Sequence, residues 1–217
     1  MIITLSRQMG AGGSEVARNV ALALEWRLVD NELIDQVAVR SGLSPERVAE
    51  REEQAPGFVE RLIRTLTRAA PEILSGPDGP DPELEEARLV KITESLVAEV
   101  AREGRVVLVG RAAPAVLKDD QDAFNVKVVA PKDFRVAVVA ARETVSEDEA
   151  RYRVEQSDTN RALYHRQYYG RDWNDASLYH LVLNTAALGV ESVVDTIVGR
   201  AKRLWPQETK ERRTPSR

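Results

Sequence analysis

The sequence predicts one α/β domain built on a parallel sheet that helices cover on both faces. Short apolar runs rich in β-branched residues alternate with segments whose apolar residues recur at helical spacing. A glycine-rich stretch follows the first of these runs directly, and parallel sheets bind ligands at such strand ends. We therefore expect a single domain over residues 1–206 of the 217, followed by a polar tail at 207–217.

The apolar runs predict the strands and the periodic segments predict the helices. Strands are expected at residues 2–5, 27–29, 105–109, 123–130 and 179–183. Helices are expected at 14–26, 31–42, from 45, at 57–70, 82–103, from 132, at 146–169 and 190–204. Ser44 followed by Pro45 is a typical helix start. The helices between about 44 and 103 form a helical insertion.

Composition excludes several classes of function. The net charge of −4 provides no basic field for a nucleic acid polymer. The absence of cysteine excludes disulfides, thiolate metal sites and a cysteine nucleophile, and it fits a cytoplasmic protein. The first apolar run is interrupted by Arg7, so we expect no secretion signal and no membrane contact.

The glycine loop SRQMGAGGS, residues 6–14, is the first candidate site. Backbone N–H groups of such a loop can surround phosphate oxygens, and Ser14 at the helix start could bind Mg²⁺. The usual pattern G-x-x-x-x-G-K-[ST] is not met, because Ser6 replaces its first glycine and Gly13 its lysine. The alternative is an ordinary strand-to-helix turn that Ser14 caps. The candidate phosphate-binding residues are Gly10, Ala11, Gly12, Gly13 and Ser14.

Four segments in order resemble the cytidylate-kinase-like family of P-loop nucleoside monophosphate kinases. ITLSRQMGAGG followed by LVDNELI resembles its opening, and VVLVGRAA, SDTNRA and LVLNTAALGVESVVDTIV resemble later segments. The match covers most of the chain and thins between about 44 and 101. The resemblance implies a P-loop kinase fold with a five-stranded parallel sheet, ATP as phosphoryl donor, Mg²⁺, and a nucleoside monophosphate as acceptor.

The resemblance also assigns acceptor-binding residues. Asp30 resembles the aspartate that opens the monophosphate-binding segment, where it would orient the acceptor or a Mg²⁺-bound water; the alternative is a helix cap, and the two roles are compatible. Arg111 matches the arginine for the acceptor phosphate, and its fork suits bidentate binding; the alternative is an exposed arginine at a helix start. Asp158 and Arg161 match the Asp-x-x-Arg segment and would contact the substrate.

Residues 142–161 resemble the family's lid, which would close over ATP and exclude water. Arg151 would bind ATP, while Arg153 and Arg161 would offset charge on the transferred phosphoryl group. The alternative is a solvated helix face with Glu–Arg pairs, which fits Arg142 best. Arg7 is the natural replacement for the missing loop lysine, or else it points outward to a carboxylate.

Histidines and aromatic residues have structural interpretations. Neither His165 nor His180 has a partner at ligand or triad spacing, so both are expected to be structural or at the surface. An aromatic group near the end of the lid favours packing over base stacking. Its members are Tyr164, Tyr168, Tyr169 and Trp173.

Departures from the family pattern leave the acceptor open. Val109 and Ala112 stand where acidic residues are expected, so cytosine specificity is not predicted, and Gln36 replaces an expected arginine. Two hypotheses follow: an active kinase of a nucleoside monophosphate or another small acceptor, or a nucleotide-binding regulatory module without catalysis. Apolar positions on the inserted helices could face a partner subunit in a homo-oligomer or close the core: Phe58, Leu62, Leu89 and Leu96.

Overall fold

Five parallel strands form one sheet in the computed structural model, which describes residues 1–30, 40–41 and 82–206. The strands are β1 (Ile2–Arg7), β2 (Arg27–Val29), β3 (Val106–Val109), β4 (Ala123–Val129) and β5 (Leu181–Asn184). Their order is β2-β3-β1-β4-β5, with β1 central. The predicted fold class is confirmed, and the carboxyl ends of β1, β2 and β3 lie side by side.

Six α-helices connect or follow these strands within the described ranges. They are α1 (Gly13–Leu24), α2 (Pro82–Glu103), α3 (Ala113–Val116), α4 (Lys132–Glu143), α5 (Glu147–Tyr169) and α6 (Thr185–Leu204), with a 3₁₀ turn at Ala176–Leu178. α5 begins where the Ser146 hydroxyl accepts the Glu149 N–H, and it ends at Gly170 in the left-handed conformation. In the described part of the chain, no helix is long and apolar enough to cross a bilayer.

Both faces of the sheet are buried along β1, β3 and β4, which explains why apolar residues lie on both faces of these strands. Successive residues of a strand lie on opposite faces. One set packs against α1 and α6: Ile3, Leu5, Val107, Val109, Val126 and Val128. The other set packs against α2 and α3: Ile2, Val106 and Leu108.

Helix α2 closes the core on the second face. Leu89 and Leu96 are 3% and 1% exposed and pack against the sheet. Burying one such side chain contributes about 1.5–3 kcal/mol. Of the two interpretations that the sequence left open for these leucines, the structure therefore supports core closure. Phe58 and Leu62 lie outside the described residues.

Helix α6 begins earlier than the predicted residue 190. The Asn184 side chain caps it by accepting the N–H groups of Ala186 and Ala187. Gly189 then interrupts the helical backbone, with φ 75° and ψ 155°, and the predicted helix matches the regular part beyond it. The helices expected from 45 and at 57–70, Gln36 and the tail at 207–217 lie outside the described residues.

Candidate active site

The glycine loop turns the chain from β1 into α1. Gly10 has φ 78°, and a Cβ there would lie 2.6 Å from the backbone oxygen of Arg135. Gly12 precedes α1 with φ 73°, and among the described residues no side chain caps this helix end. The N–H groups of the first turn therefore remain available to an anion, and the helix dipole favours negative charge there.

Arg135 holds this loop from behind. Its guanidinium donates to the carbonyls of Met9 (Nη1, 3.3 Å) and Ala130 (Nε, 3.0 Å), and Nη2 lies 2.8 Å from Oδ2 of Asp158. Arg135 was not among the residues predicted from the sequence, although its position four residues before the apolar Val139 places it on the core-facing side of α4. Asp158 is thus occupied with Arg135, and its predicted contact with substrate stays a prediction.

Two further hydrogen bonds fix the loop from the sheet and from α6. The Ala130 N–H donates to the side-chain oxygen of Gln8 at 3.2 Å. The Thr185 hydroxyl donates to the Ala11 carbonyl at 2.8 Å. The loop is therefore built before any ligand arrives, which lowers the ordering cost of binding.

Arg7 runs across the site from the end of β1. A Cβ on Gly13 would overlap the Arg7 Cβ, and one on Gly110 would lie 2.5 Å from Arg7 Nη1. The far end of the side chain lies 3.5 Å from the Asp30 carboxylate. Arg7 thus has the carboxylate partner that one interpretation of the sequence expected, and its replacement of the loop lysine stays a prediction.

The glycine loop opens into a cleft of about 830 Å³, called here the loop cleft, which is within the usual size of small-molecule sites. Gly10, Gly12, Gly13 and the exposed Ser14 line one side. Opposite them lie arginines of the predicted lid, Arg142, Arg153 and Arg161. The structure thus brings the predicted phosphate loop and part of the predicted lid together.

Carboxylates hold several lid arginines in this structure. Glu143 lies 2.5 Å from Arg142 and 2.9 Å from Arg153, which also contacts Glu149 at 2.7 Å. These are the Glu–Arg pairs that the sequence offered as an alternative. At the exposed helix surface such pairs are weak enough for a phosphate to displace them.

Arg151 lies apart from these residues. It pairs with Asp133 at 3.2 Å and Glu147 at 2.9 Å, and it is not among the described residues that line the loop cleft. Its predicted contact with ATP stays a prediction.

A second, smaller space of about 60 Å³, called here the arginine cavity, adjoins the loop cleft. Three arginines from separate parts of the chain line it: Arg7 from β1, Arg111 after β3 and Arg161 from α5. Arg7 and Arg161 line the loop cleft as well. The structure therefore brings together the predicted cations of both sites along one shared wall.

A strained turn places Arg111 at this cavity. Gly110, Arg111 and Ala112 have φ of 75°, 56° and 48°, and the Ala113 N–H closes the turn on the Gly110 carbonyl at 3.1 Å. The left-handed conformation costs a residue with a Cβ about 1–2 kcal/mol. Such strain is typical of functional sites.

Aromatic side chains complete the cavity wall. Tyr164, His165 and Trp173 line it, and Tyr164 packs against Tyr168 with ring centroids 4.9 Å apart. Burial, together with the nearby positive charges of Lys127, Arg171 and Arg161, lowers the pKa of His165 to about 4. His165 is therefore neutral at neutral pH.

His180 is not among the described residues that line the cavity, and it joins the segment directly before β5 to β4. Its Nδ1 accepts the backbone N–H of Asn125 at 2.9 Å. The structural role expected from the sequence agrees with this contact.

The described residues contain no cluster of three histidine or acidic side chains able to hold a metal ion. Ser14 lies exposed in the loop cleft. A metal bound there would take the Ser14 hydroxyl together with phosphate oxygens of a nucleotide, which is how Mg²⁺ is usually held in such sites.

The sheet order and the glycine loop after its central strand define the P-loop kinase fold. Solved structures share it. An uncharacterized protein from Eubacterium ventriosum superposes with a TM-score of 0.67 at 21% identity, covering 93% of this chain and 98% of that one. Shikimate kinase from Bacteroides thetaiotaomicron gives 0.50 at 16%, covering 95% and 98%. At these identities the likeness concerns the fold alone.

The chain belongs to the cytidylate kinase-like family, whose model matches residues 2–187. A cytidylate kinase from Natronomonas pharaonis is 28% identical over 202 residues, 91% of this chain and 89% of the relative. One from Thermococcus sibiricus is 26% identical, over 95% and 90%. One from Methanopyrus kandleri is 33% identical over half of this chain and 57% of the relative. The predicted family and phosphotransferase class are confirmed.

Proposed function

We propose that the protein transfers the γ-phosphoryl group of ATP to a nucleoside monophosphate. The observation that carries this proposal is the shared wall: Arg7 and Arg161 line both the loop cleft and the arginine cavity. A phosphoryl group passing from one space to the other would stay in contact with the same two cations.

The loop cleft fits the phosphates of ATP. The glycine loop and the start of α1, which no side chain in the described ranges caps, provide N–H donors. The Ser14 hydroxyl would contact Mg²⁺, which supplies charge neutralisation between the phosphates. Arg142 and Arg153 would exchange their carboxylate partners for phosphate oxygens when the nucleotide binds.

The arginine cavity fits the phosphate of the acceptor. Three guanidinium groups in one small space attract a dianion far more than a neutral alcohol. This favours a monophosphate over an unphosphorylated acceptor. Val109 and Ala112 are buried and apolar, so the acceptor base is not assigned to cytosine.

In the transfer, an oxygen of the acceptor phosphate attacks the γ-phosphorus of ATP as the bond to the bridging oxygen breaks, giving a nucleoside diphosphate and ADP. Such a reaction depends on positioning and on offsetting negative charge. Arg7 and Arg161 would provide that charge, and Asp30 would hold Arg7 in place through their ion pair.

ATP consumption by the purified protein with CMP, UMP, AMP, GMP and cytidine tests this proposal. We expect at least one monophosphate to be phosphorylated and cytidine to be inert. Equal turnover of cytidine would contradict the monophosphate assignment. No turnover with any acceptor would favour the regulatory module without catalysis, for which Gly13 at the lysine position is the motivating feature.

The substitution Arg111→Ala tests the acceptor side separately. It should lower kcat/KM for the monophosphate by about tenfold or more, because a bidentate phosphate contact is lost, while KM for ATP changes less than about twofold. The exposed Arg200→Ala on α6 is the matched control and should leave both constants unchanged. Loss of ATP binding in Arg111→Ala would contradict the acceptor assignment, because it would show that Arg111 binds the phosphoryl donor.

A further inference from the structure

A buried lysine lies behind the arginine cavity. Lys127 of β4 is 3% exposed, and its ammonium donates to the Trp173 carbonyl at 2.6 Å and to the Asn174 side chain at 3.0 Å. The same ammonium lies 3.9 Å from the centroid of the Trp173 indole ring. Lys127 therefore binds Trp173 both at its backbone and at its ring.

Trp173 connects this lysine to the shared wall. Its indole N–H donates to the Ser6 hydroxyl at 2.9 Å, and Ser6 directly precedes Arg7. The guanidinium carbon of Arg161 lies 6.0 Å from the Trp173 ring centroid. Trp173 thus contacts Arg161 and the strand end that carries Arg7, the two cations on which the proposed transfer depends.

Stability alone gives no reason for the charge on Lys127. An ammonium that is taken out of water costs free energy, and an apolar side chain of similar length often serves the fold as well or better. Burial lowers the pKa of Lys127 to about 8, although the negative charges of Asp158 and Asp172 oppose this shift. The contacts of Lys127 with Trp173 give a different reason for the charge, which is to hold Trp173 in position.

We propose that Lys127 is a positioning residue for the acceptor: it fixes Trp173, and through Trp173 it fixes Ser6, Arg7 and Arg161 around the acceptor phosphate. The inference rests on the proposed function. Lys127 acts through Trp173 and does not itself touch the substrate.

Other ionisable groups surround the ammonium. Asp158 and His165 approach from α5, and Asp172 and Tyr179 approach from the segment after it. The Tyr179 hydroxyl also donates to the Trp173 carbonyl at 3.0 Å. That carbonyl therefore keeps a donor when Lys127 is replaced, and a Lys127 variant should still fold.

Kinetics of Lys127→Met in the full chain provide the first test. We expect a melting temperature equal to or above that of the wild type, a loss of about tenfold or more in kcat/KM for the monophosphate, and a KM for ATP within about twofold. Lys118→Met, at an exposed lysine paired with Asp119, is the control and should behave as wild type. An unfolded Lys127→Met, or one with wild-type kcat/KM, would overturn the proposal.

The pH profile separates positioning from a general structural effect. Lys127 loses its charge above about pH 8, so wild-type kcat/KM for the acceptor should fall there. Lys127→Met should lack this alkaline limb. An identical limb in both proteins would contradict the proposal.

Fluorine NMR of protein labelled with 5-fluorotryptophan gives a readout that needs no activity. The Trp173 resonance, assigned with Trp173→Phe, should titrate with a midpoint near pH 8 in the wild type and stay constant in Lys127→Met. The same titration of Trp173 in both proteins would show that it does not come from Lys127, and would overturn the proposal. If the wild type phosphorylates no monophosphate, the proposed function fails, while this measurement still decides whether Lys127 positions Trp173.

Discussion

At the scale of single residues, Arg7 and Gly13 are sterically coupled. The usual loop carries its lysine at the position of Gly13. Here the stem of Arg7 fills the space that any side chain at 13 would need. Position 13 therefore requires glycine because Arg7 lies beside it. The positive charge of the loop comes from Arg7 at the end of β1 and not from position 13.

Exchanging the two residues tests this coupling. Gly13→Lys alone should lower kcat by about tenfold or more and destabilise the fold by about 1–3 kcal/mol, because its side chain overlaps Arg7. Arg7→Gly alone should cost about 3 kcal/mol of transition-state stabilisation. The double variant Arg7→Gly/Gly13→Lys should be more active than either single one, since loss of the Arg7 Cβ leaves room for the new lysine.

A double-mutant cycle on kcat and on melting temperature measures the coupling directly. Additive losses would show that Arg7 and Gly13 act independently. The negative charge on the transferred phosphoryl group would then be offset by Arg161 and its neighbours instead.

At the scale of elements, one buried guanidinium joins the glycine loop, the end of β4 and helix α5. Arg135 is 5% exposed and its partner Asp158 26% exposed. The loop and the predicted lid therefore share one anchor. Because α5 carries Arg153 and Arg161, a change at this anchor should move the cations of the loop cleft relative to the glycine loop.

Replacing the anchor should destabilise the whole domain. Arg135→Met leaves the Asp158 carboxylate without its cation and the carbonyls of Met9 and Ala130 without a donor, so we expect a loss of about 3–5 kcal/mol in urea unfolding. Arg151→Met, which breaks only pairs at the surface, should cost less than about 1 kcal/mol. Similar losses in the two variants would show that the buried pair has no special role.

At the scale of the whole molecule, local and global charge have opposite signs. The chain carries a net charge of −4, yet three of its arginines line one small cavity with Lys127 close behind it. Burial and this positive surrounding keep His165 neutral by lowering its pKa to about 4. The stability of the fold should therefore depend on pH below neutrality.

Acidification should destabilise the protein through His165. Between pH 6.5 and 4 the unfolded chain takes up a proton at this histidine that the folded chain does not bind, so stability falls as pH falls. The full shift corresponds to about 3 kcal/mol. Urea unfolding across this range should show a shallower pH dependence in His165→Gln than in the wild type, since carboxylates contribute equally to both.

An equal slope in the two proteins would show that His165 binds its proton equally in the folded and unfolded states. Its burial behind Tyr164 and Trp173 would then have no electrostatic consequence.

The sequence predicted the elements well where their signals are local. Short apolar runs identified all five strands of the described residues to within about two positions, and the family motifs identified Asp30, Arg111 and Arg161 as candidates. The roles of these residues stay predictions. The short helix α3 was missed because only a strained turn and Pro114 mark its start.

The sequence by itself determined the fold class, the glycine loop and the family, because periodicity, turn residues and motif order are properties of neighbouring positions. Only the tertiary structure decided which cations share a wall and which hydrogen-bond networks hold them. Arg135 contacts Met9 across 126 positions and Trp173 contacts Ser6 across 167. Such contacts depend on the register of β1 with β4, where Ser6 lies beside Lys127. Strand register is set by packing on both faces of the sheet, and no local pattern contains it.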